Sequence, residues 1–280
     1  MQRINYEIPL DCEIVAMGDT HIASVMAHRS GIAKAIDYIQ ADANRYWLHM
    51  GDWIEAIATD DIRYDSDTTQ QPIPLKQAAE AIALFSPIRD RCIVGLQGNH
   101  ERKLHRYGDL AAHICAGLGI KYGTYSARVI FTNGNKTLFR LFAWHGPTRG
   151  SISSNAKDWQ QRQGNMKAAL KMKLQYKWGD CAIMLMGHVH KLIVVPPTTD
   201  QLYLSDSVKG PKQGYLSGRQ DGVFIDPDLR WYGCTGAFLK LYEDGISGYA
   251  EIAGYDPVEL GYLLIKIQGG NIIDIERKVI

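Results

Sequence analysis

No cysteine in this chain has a close partner in sequence. Cys12, Cys92, Cys115, Cys181 and Cys234 are odd in number and far apart, and no C-x-x-C pair occurs, which argues against a disulfide framework or a thiolate zinc site. Charge of one sign is missing as well. The formal net charge is +1, so no overall basic field advertises nucleic acid or an anionic membrane as a partner. No apolar run approaches the roughly 20 residues of a membrane span. The opening stretch MQRINYEIPLDCEIVAMGD carries acids within its first apolar run and lacks a signal-peptide core with a small-residue cleavage site. Internal repeats, low-complexity tracts and obvious linkers are also absent. The expectation is a reduced, cytoplasmic protein with no membrane and no disulfide-linked partner. Its oligomeric state is not written in the sequence.

What is present is an ordinary globular composition. Of the 280 residues, 46% are hydrophobic and 22% charged, enough for a full hydrophobic core. Short apolar runs recur and stop at a glycine or a polar cluster: EIVAMGDTH, RYWLHMGDW, CIVGLQGNHE, LFRLFAWHG and CAIMLMGHVH. Runs of this kind predict buried strands. Helical patterns lie between them. Ile32, Ile36, Ile39 and Ala43 share a helix face with Ser30 as its cap; Ala78, Ala81, Ile82 and Phe85 share another over residues 75–86; Leu110, Ile114 and Leu118 mark a third. Strands alternating with helices predict an α/β architecture. After residue 190 the pattern changes to short strands joined by turns, the last a hairpin around Gly269, Gly270 and Asn271. A mainly antiparallel second sheet packed on the first is expected there, within a single domain spanning 1–280. Residues 147–178 begin as a polar loop and become a lysine-bearing helix, a candidate lid.

Five predicted strand ends carry acids, amides or imidazoles: Asp19 with His21, Asp52, Asn99 with His100, His145, and His188 with His190. In an open α/β sheet the carboxyl ends of strands share one edge, so these residues converge. The stretch QGNHER allows two local readings, a capped turn before a helix or a metal site. Nitrogen and oxygen donors without thiolate suit borderline divalent metals such as Mn, Fe or Zn. Leaving His100 out, the set is still too large for one tetrahedral ion. Two ions sharing a bridging carboxylate would use it all.

The blocks GDTH, GDW, GNHE, HG and GHVH resemble, in order and wording, the calcineurin-like metallophosphoesterase family, whose pattern reads D-x-H, G-D, G-N-H-[DE], H and G-H-x-H. They span residues 18–190. The resemblance implies a two-sheet β-sandwich flanked by helices, a four-layer αββα arrangement. It implies two divalent ions, of Mn, Fe, Zn or Ni, with Asp19, His21 and His190 on one, Asn99, His145 and His188 on the other, and Asp52 bridging. His100 then matches the histidine that helps the leaving group depart, and Glu101 the acid that supports it. The implied reaction is phosphoester hydrolysis by a metal-activated hydroxide.

Departures from the pattern narrow the substrate. The protein-phosphatase branch looks like G-D-x-x-D-R-G at the second block and has an arginine before G-N-H-E; here the residues are GDWIEAI and Gln97. Two phosphate-gripping arginines are therefore missing, which favours a phosphodiester, from nucleic acid or from a cyclic or small nucleotide. The DNA-repair exonuclease branch is one alternative, and a non-catalytic metal-binding scaffold is another. His105, Arg106 and Arg149 are candidate substrate contacts. His28, His49, His105 and His113 match no family position. Lys167 with Lys171, and Lys173 with Lys177, stand at helical i, i+4 spacing and predict a solvated face.

Overall fold

The computed structural model describes residues 1–148 and 151–280. The chain runs β1 (Gln2–Glu7), β2 (Cys12–Met17), α1 (Arg29–Gln40), β3 (Arg45–His49), α2 (Pro74–Phe85), β4 (Cys92–Gly95), α3 (Asn99–Lys103) and α4 (Leu110–Leu118). It continues through β5 (Ser126–Asn133), β6 (Lys136–Trp144), α5 (Trp159–Leu174), β7 (Ile183–Met186), β8 (Leu192–Val195), β9 (Leu202–Ser205), β10 (Lys212–Tyr215), β11 (Trp231–Thr235), α6 (Tyr249–Ile252), β12 (Gly261–Gln268) and β13 (Asn271–Val279).

Two large sheets result. One has five strands in the order β13-β12-β2-β3-β4, the other six in the order β1-β5-β6-β7-β11-β8. The central strands are apolar on both faces because both faces are covered. In β2, Ile14 and Ala16 enter the core between the sheets, while Val15 and Met17 pack beneath α1, α2 and α4. In β7, Ile183 and Leu185 face the same central core, while Met184 and Met186 meet Met166, Leu170 and Leu174 of α5. The layers are helix, sheet, sheet, helix. Among the described residues no helix is long and apolar enough to cross a membrane.

The strands after residue 190 do not build a sheet of their own. Most pair antiparallel, but β8 and β11 join the six-stranded sheet, β12 and β13 join the five-stranded one, and β9 with β10 forms a separate ribbon. Alternation tells which face a strand buries and is silent on which neighbour it pairs with. The final hairpin turns on Gly269 (φ +56°) and Gly270 (φ +76°), a two-residue turn that needs positive φ at both positions.

Helix α1 is capped differently from the expectation. His28 Nδ1 accepts from Gly31 N at 3.0 Å, Ser30 lies inside the first turn, and Ala43 falls beyond the helix end at Gln40. An imidazole nitrogen here satisfies the N–H that a serine hydroxyl commonly takes. Helix α2 starts on Pro74, whose missing N–H costs nothing at a helix start. All five cysteines are free and buried, and burial pushes the Cys12, Cys181 and Cys234 thiols up to about 12, so none of these three is poised as a thiolate.

Candidate metal centre

Strands β2, β3 and β4 run parallel, as do β6 and β7, and the loops leaving their carboxyl ends meet at one edge of the sandwich. Backbone bonds tie those loops together. Asp19 N donates to Gly51 O at 2.9 Å, and Thr20 N and His21 N donate to Asp52 O at 2.9 and 3.1 Å. Phe238 N, beyond β11, donates to Asp19 O at 3.0 Å. Gly98 is required by close approach: a Cβ there would collide with the Asp52 carboxylate and backbone nitrogen.

The backbone itself marks this edge. Asp19 (φ +50°), His21 (+44°), Asp52 (+52°), His188 (+70°) and His190 (+51°) all sit in the left-handed region. Each such residue costs on the order of 1 kcal/mol or more, tolerated only where surrounding structure over-determines it. Strain concentrated on acids and imidazoles is the pattern of a functional site.

The side chains form two groups. Asp19, His21 and His190 bring one ligand atom each to within 4.8 Å of one another, and so do Asp52, His145 and His188. A third group, His21, Asp52 and His100, overlaps both others and sets Asp52 between them. His190 Nε2 lies 3.3 Å from Asp19 Oδ1, His145 Nε2 lies 3.4 Å from Asp52 Oδ2, and His21 Nε2 is 3.8 Å from Asp52 Oδ2. Asn99 Oδ1 reaches His145 Nε2 at 2.8 Å. All seven residues singled out as ligands are thus brought together from five loops.

The donor set fits divalent cations. His21 Nδ1 is engaged by Glu55 Oε2 at 2.9 Å and His145 Nδ1 by Met50 O at 2.7 Å, which turns each Nε2 toward the centre. Such outer hydrogen bonds characteristically orient metal-binding imidazoles. His21 Nε2 and Asp19 Oδ1 are buried and make no hydrogen bond of ordinary geometry, a costly state that a cation would relieve. Burial raises the Asp19 and Asp52 carboxyls, yet both are held below the usual carboxylate range. His190, by hydrogen bond and charge, and then His145 hold Asp19 down; the charges of His145 and His100 hold Asp52 well down. Burial disfavours charge on His21 and His145 too, but Glu55 brings the first up to about 9 and Asp52 the second up to about 9. Positive charge is what these buried anions demand.

No protein-family profile matches this chain, and no curated protein matches it. Among solved structures it is similar to the NAD nucleotidase of Haemophilus influenzae, at 14% identity and a TM-score of 0.44, over 96% of this chain and 50% of that one. The calcineurin-like phosphoesterase YfkN of Bacillus subtilis is similar at 13% identity and a TM-score of 0.40, over 96% and 90% of the two chains. The nuclease MPE of Pseudomonas putida is similar at 14% identity and a TM-score of 0.33, over 95% and 87%. This chain spans half of the nucleotidase.

His100 stands beside the two groups. Its ring is edge-on to His21 with centroids 4.6 Å apart, its backbone N–H donates to Asp52 Oδ1 at 2.9 Å, and its Nδ1 meets the Glu55 carbonyl oxygen at 2.6 Å. Glu101 differs from the expectation. Its carboxylate accepts from Ile54 N at 3.1 Å and Gly98 N at 2.8 Å and is fully buried, so it braces the two loops rather than His100. Burial, with Asp52 nearby, raises it to about 7. The acid beside His100 is Glu55, which the sequence reading passed over. Its only signal was a carboxylate three residues after Asp52.

The remaining candidates lie elsewhere. His105 is exposed and Arg106 pairs with Asp60 at 3.1 Å; neither belongs to the groups. Arg149 lies outside the described residues. His49 is buried, stacked on Trp53 at 3.6 Å, and bridges Gly51 N at 3.3 Å and Thr20 Oγ1 at 3.2 Å. Burial pushes it down to about 3, so it joins the loops as a neutral ring.

Proposed function

We propose that this chain is a two-metal phosphoester hydrolase of the calcineurin-like metallophosphoesterase family, acting on a phosphodiester. The observation that carries the reading is the convergence of two buried His/Asp groups, with Asp52 between them, at the edge where five motif-bearing loops meet. In this reading Asp19, His21 and His190 hold one divalent cation, Asn99, His145 and His188 hold the other, and Asp52 serves both. When bound, such a pair supplies Lewis acidity that neutralises phosphoryl oxygens and makes hydroxide available near neutral pH.

The chain's own residues do the rest. The Glu55 carbonyl can only accept, so His100 Nδ1 is the donor in their 2.6 Å contact; in the imidazolium form Nε2 carries the second proton, and that is the one passed to the departing oxygen, leaving the ring neutral. Glu55 meanwhile holds the His21 ring, and Glu101 pins the loop that carries Asn99. Gln97 stands where the phosphatase branch has an arginine, and its amide donates to Asp109 Oδ1 at 3.0 Å rather than facing a substrate. That supports a diester over a phosphoprotein. The buried free thiols fit the cytoplasm.

The test is hydrolysis of bis-p-nitrophenyl phosphate and p-nitrophenyl phosphate by chelator-stripped protein, with Mn, Ni, Zn or Mg restored singly. Metal-dependent turnover favouring the diester is expected. Preference for the monoester would overturn the diester assignment, and no turnover with any metal despite two bound ions would favour the scaffold reading.

A further inference from the structure

A groove of about 640 Å³ opens beside the metal edge. It starts at Lys191, the residue after His190, follows β8, and is walled by the first half of α5 and by residues 256–259. Trp159, Arg162 and Met166 recur along α5 at spacings of three and four, so they line one face toward it, with Lys167 alongside. The lysine stripe seen in the sequence divides here. Lys171 pairs with Asp228, and Lys177 lies over the Trp144 ring at 4.2 Å. Only Lys167 of the four reaches the groove.

The lining has a definite chemical character. Arg277 is neutralised by Glu259 at 2.7 Å, which leaves Arg162, Lys167 and Lys191 facing Asp256, an excess of cations. None of those three cations has an ion pair among the described residues. The Trp159 ring is 66% exposed at the groove's side, an apolar plane left in water. Cations that track phosphates beside an aromatic plane on which a base stacks are the elements of single-strand recognition. From Trp159 to Lys167 the helix rises about 12 Å, the length of about three stacked nucleotides at about 3.4 Å each. A duplex keeps its base faces inside and offers Trp159 nothing.

We infer that this groove binds single-stranded nucleic acid and leads its backbone to the metal edge. The inference deepens the proposed phosphoester reading for what happens at that edge, while binding depends on the groove alone. Lys191 follows His190 in the chain, so the groove begins one residue from the metal edge.

The test is fluorescence anisotropy of a short labelled oligothymidylate, measured in EDTA so that nothing is cleaved. With three phosphate contacts, log affinity falls against log salt with a slope of about −2, at about −0.7 per contact. Arg162→Ala or Lys167→Ala each flattens the slope by about 0.7. Trp159→Ala weakens binding about five-fold or more, Trp159→Phe restores part of the loss, and Lys209→Ala, on the exposed turn between β9 and β10, changes nothing. Absent binding, a flat salt dependence, or indifference to Trp159→Ala in a variant that melts normally overturns the inference, as does equal affinity for duplex. Turnover of the small diester without oligonucleotide binding sinks this inference alone. Oligonucleotide binding without any turnover sinks the phosphoester reading and leaves this one standing.

Discussion

Two regions of this molecule break the ordinary rule of burial in opposite directions. At the metal edge, Asp19, His21, Asp52 and His145 are almost wholly buried. On the β9–β10 ribbon, Leu202, Leu204, Val208 and Tyr215 are out in water, Leu204 at 75%. The first departure is expensive and everything around it is arranged to hold it: five positive φ angles, cross-loop backbone bonds, and an outer carboxylate or carbonyl behind two imidazoles. The second costs little, because single apolar side chains at a surface are normal, and nothing is strained to maintain it. Compensation, rather than anomaly, separates a site from a decoration.

The strongest attack on that contrast is at its centre. Asp52→Asn removes the charge shared by the two groups, and activity is expected to fall to background with both metals lost, as read by elemental analysis of the purified variant. Near-normal turnover would refute the bridging role. His100→Asn is the next step down. His100 belongs to neither outer group, and its bond to Asp52 runs through the backbone N–H, which the substitution keeps, so two metals per chain should remain while the rate falls about 10²–10⁴-fold, most on substrates with poor leaving groups. Loss of metal in that variant would make His100 a ligand.

Glu55→Gln probes the compensation itself. Removing an outer hydrogen-bonding carboxylate costs about 10–100-fold in metal affinity, and Glu55 backs His21 but no residue around His145. Titration should therefore show one weakened and one normal site, with Glu55→Asp partly restoring the weak one. Equal weakening at both would mean that Glu55 acts through the fold.

Glu55 also shows where the sequence stops being readable. The seven ligand candidates were legible because each stands at or just after the end of an apolar run, where strand geometry alone carries it to the edge. A lone acid in the loop after Asp52 has no such address; only the fold turns it onto His21. Glu101 was placed by its motif neighbour His100, yet the turn at Gly98 sends its carboxylate back onto backbone N–H groups. The helices were legible from their apolar spacing, whereas the α1 cap was not, since an imidazole becomes a cap only by its rotamer. Strand partners such as β12 with β2 depend on contacts about 250 residues apart, beyond any local pattern.

The smallest effect is expected at the ribbon, and it completes the contrast. Residues 201 and 216 already face each other, with Leu216 N donating to Gln201 O at 2.9 Å, so a short Gly-Ser turn can join the chain there without moving its neighbours. Among the described residues the excised strands pair only with each other, their side chains are mostly exposed, and shortening a surface loop changes closure entropy only by about 0.6 kcal/mol per halving. The shortened protein should keep two metals, its turnover of the small diester and a melting temperature within about 2 °C, since a 1 kcal/mol change shifts a chain of this size by roughly 2–4 °C. A large drop in melting temperature would show that the exposed leucines and tyrosines hold the fold after all, and the asymmetry between the two regions would be lost.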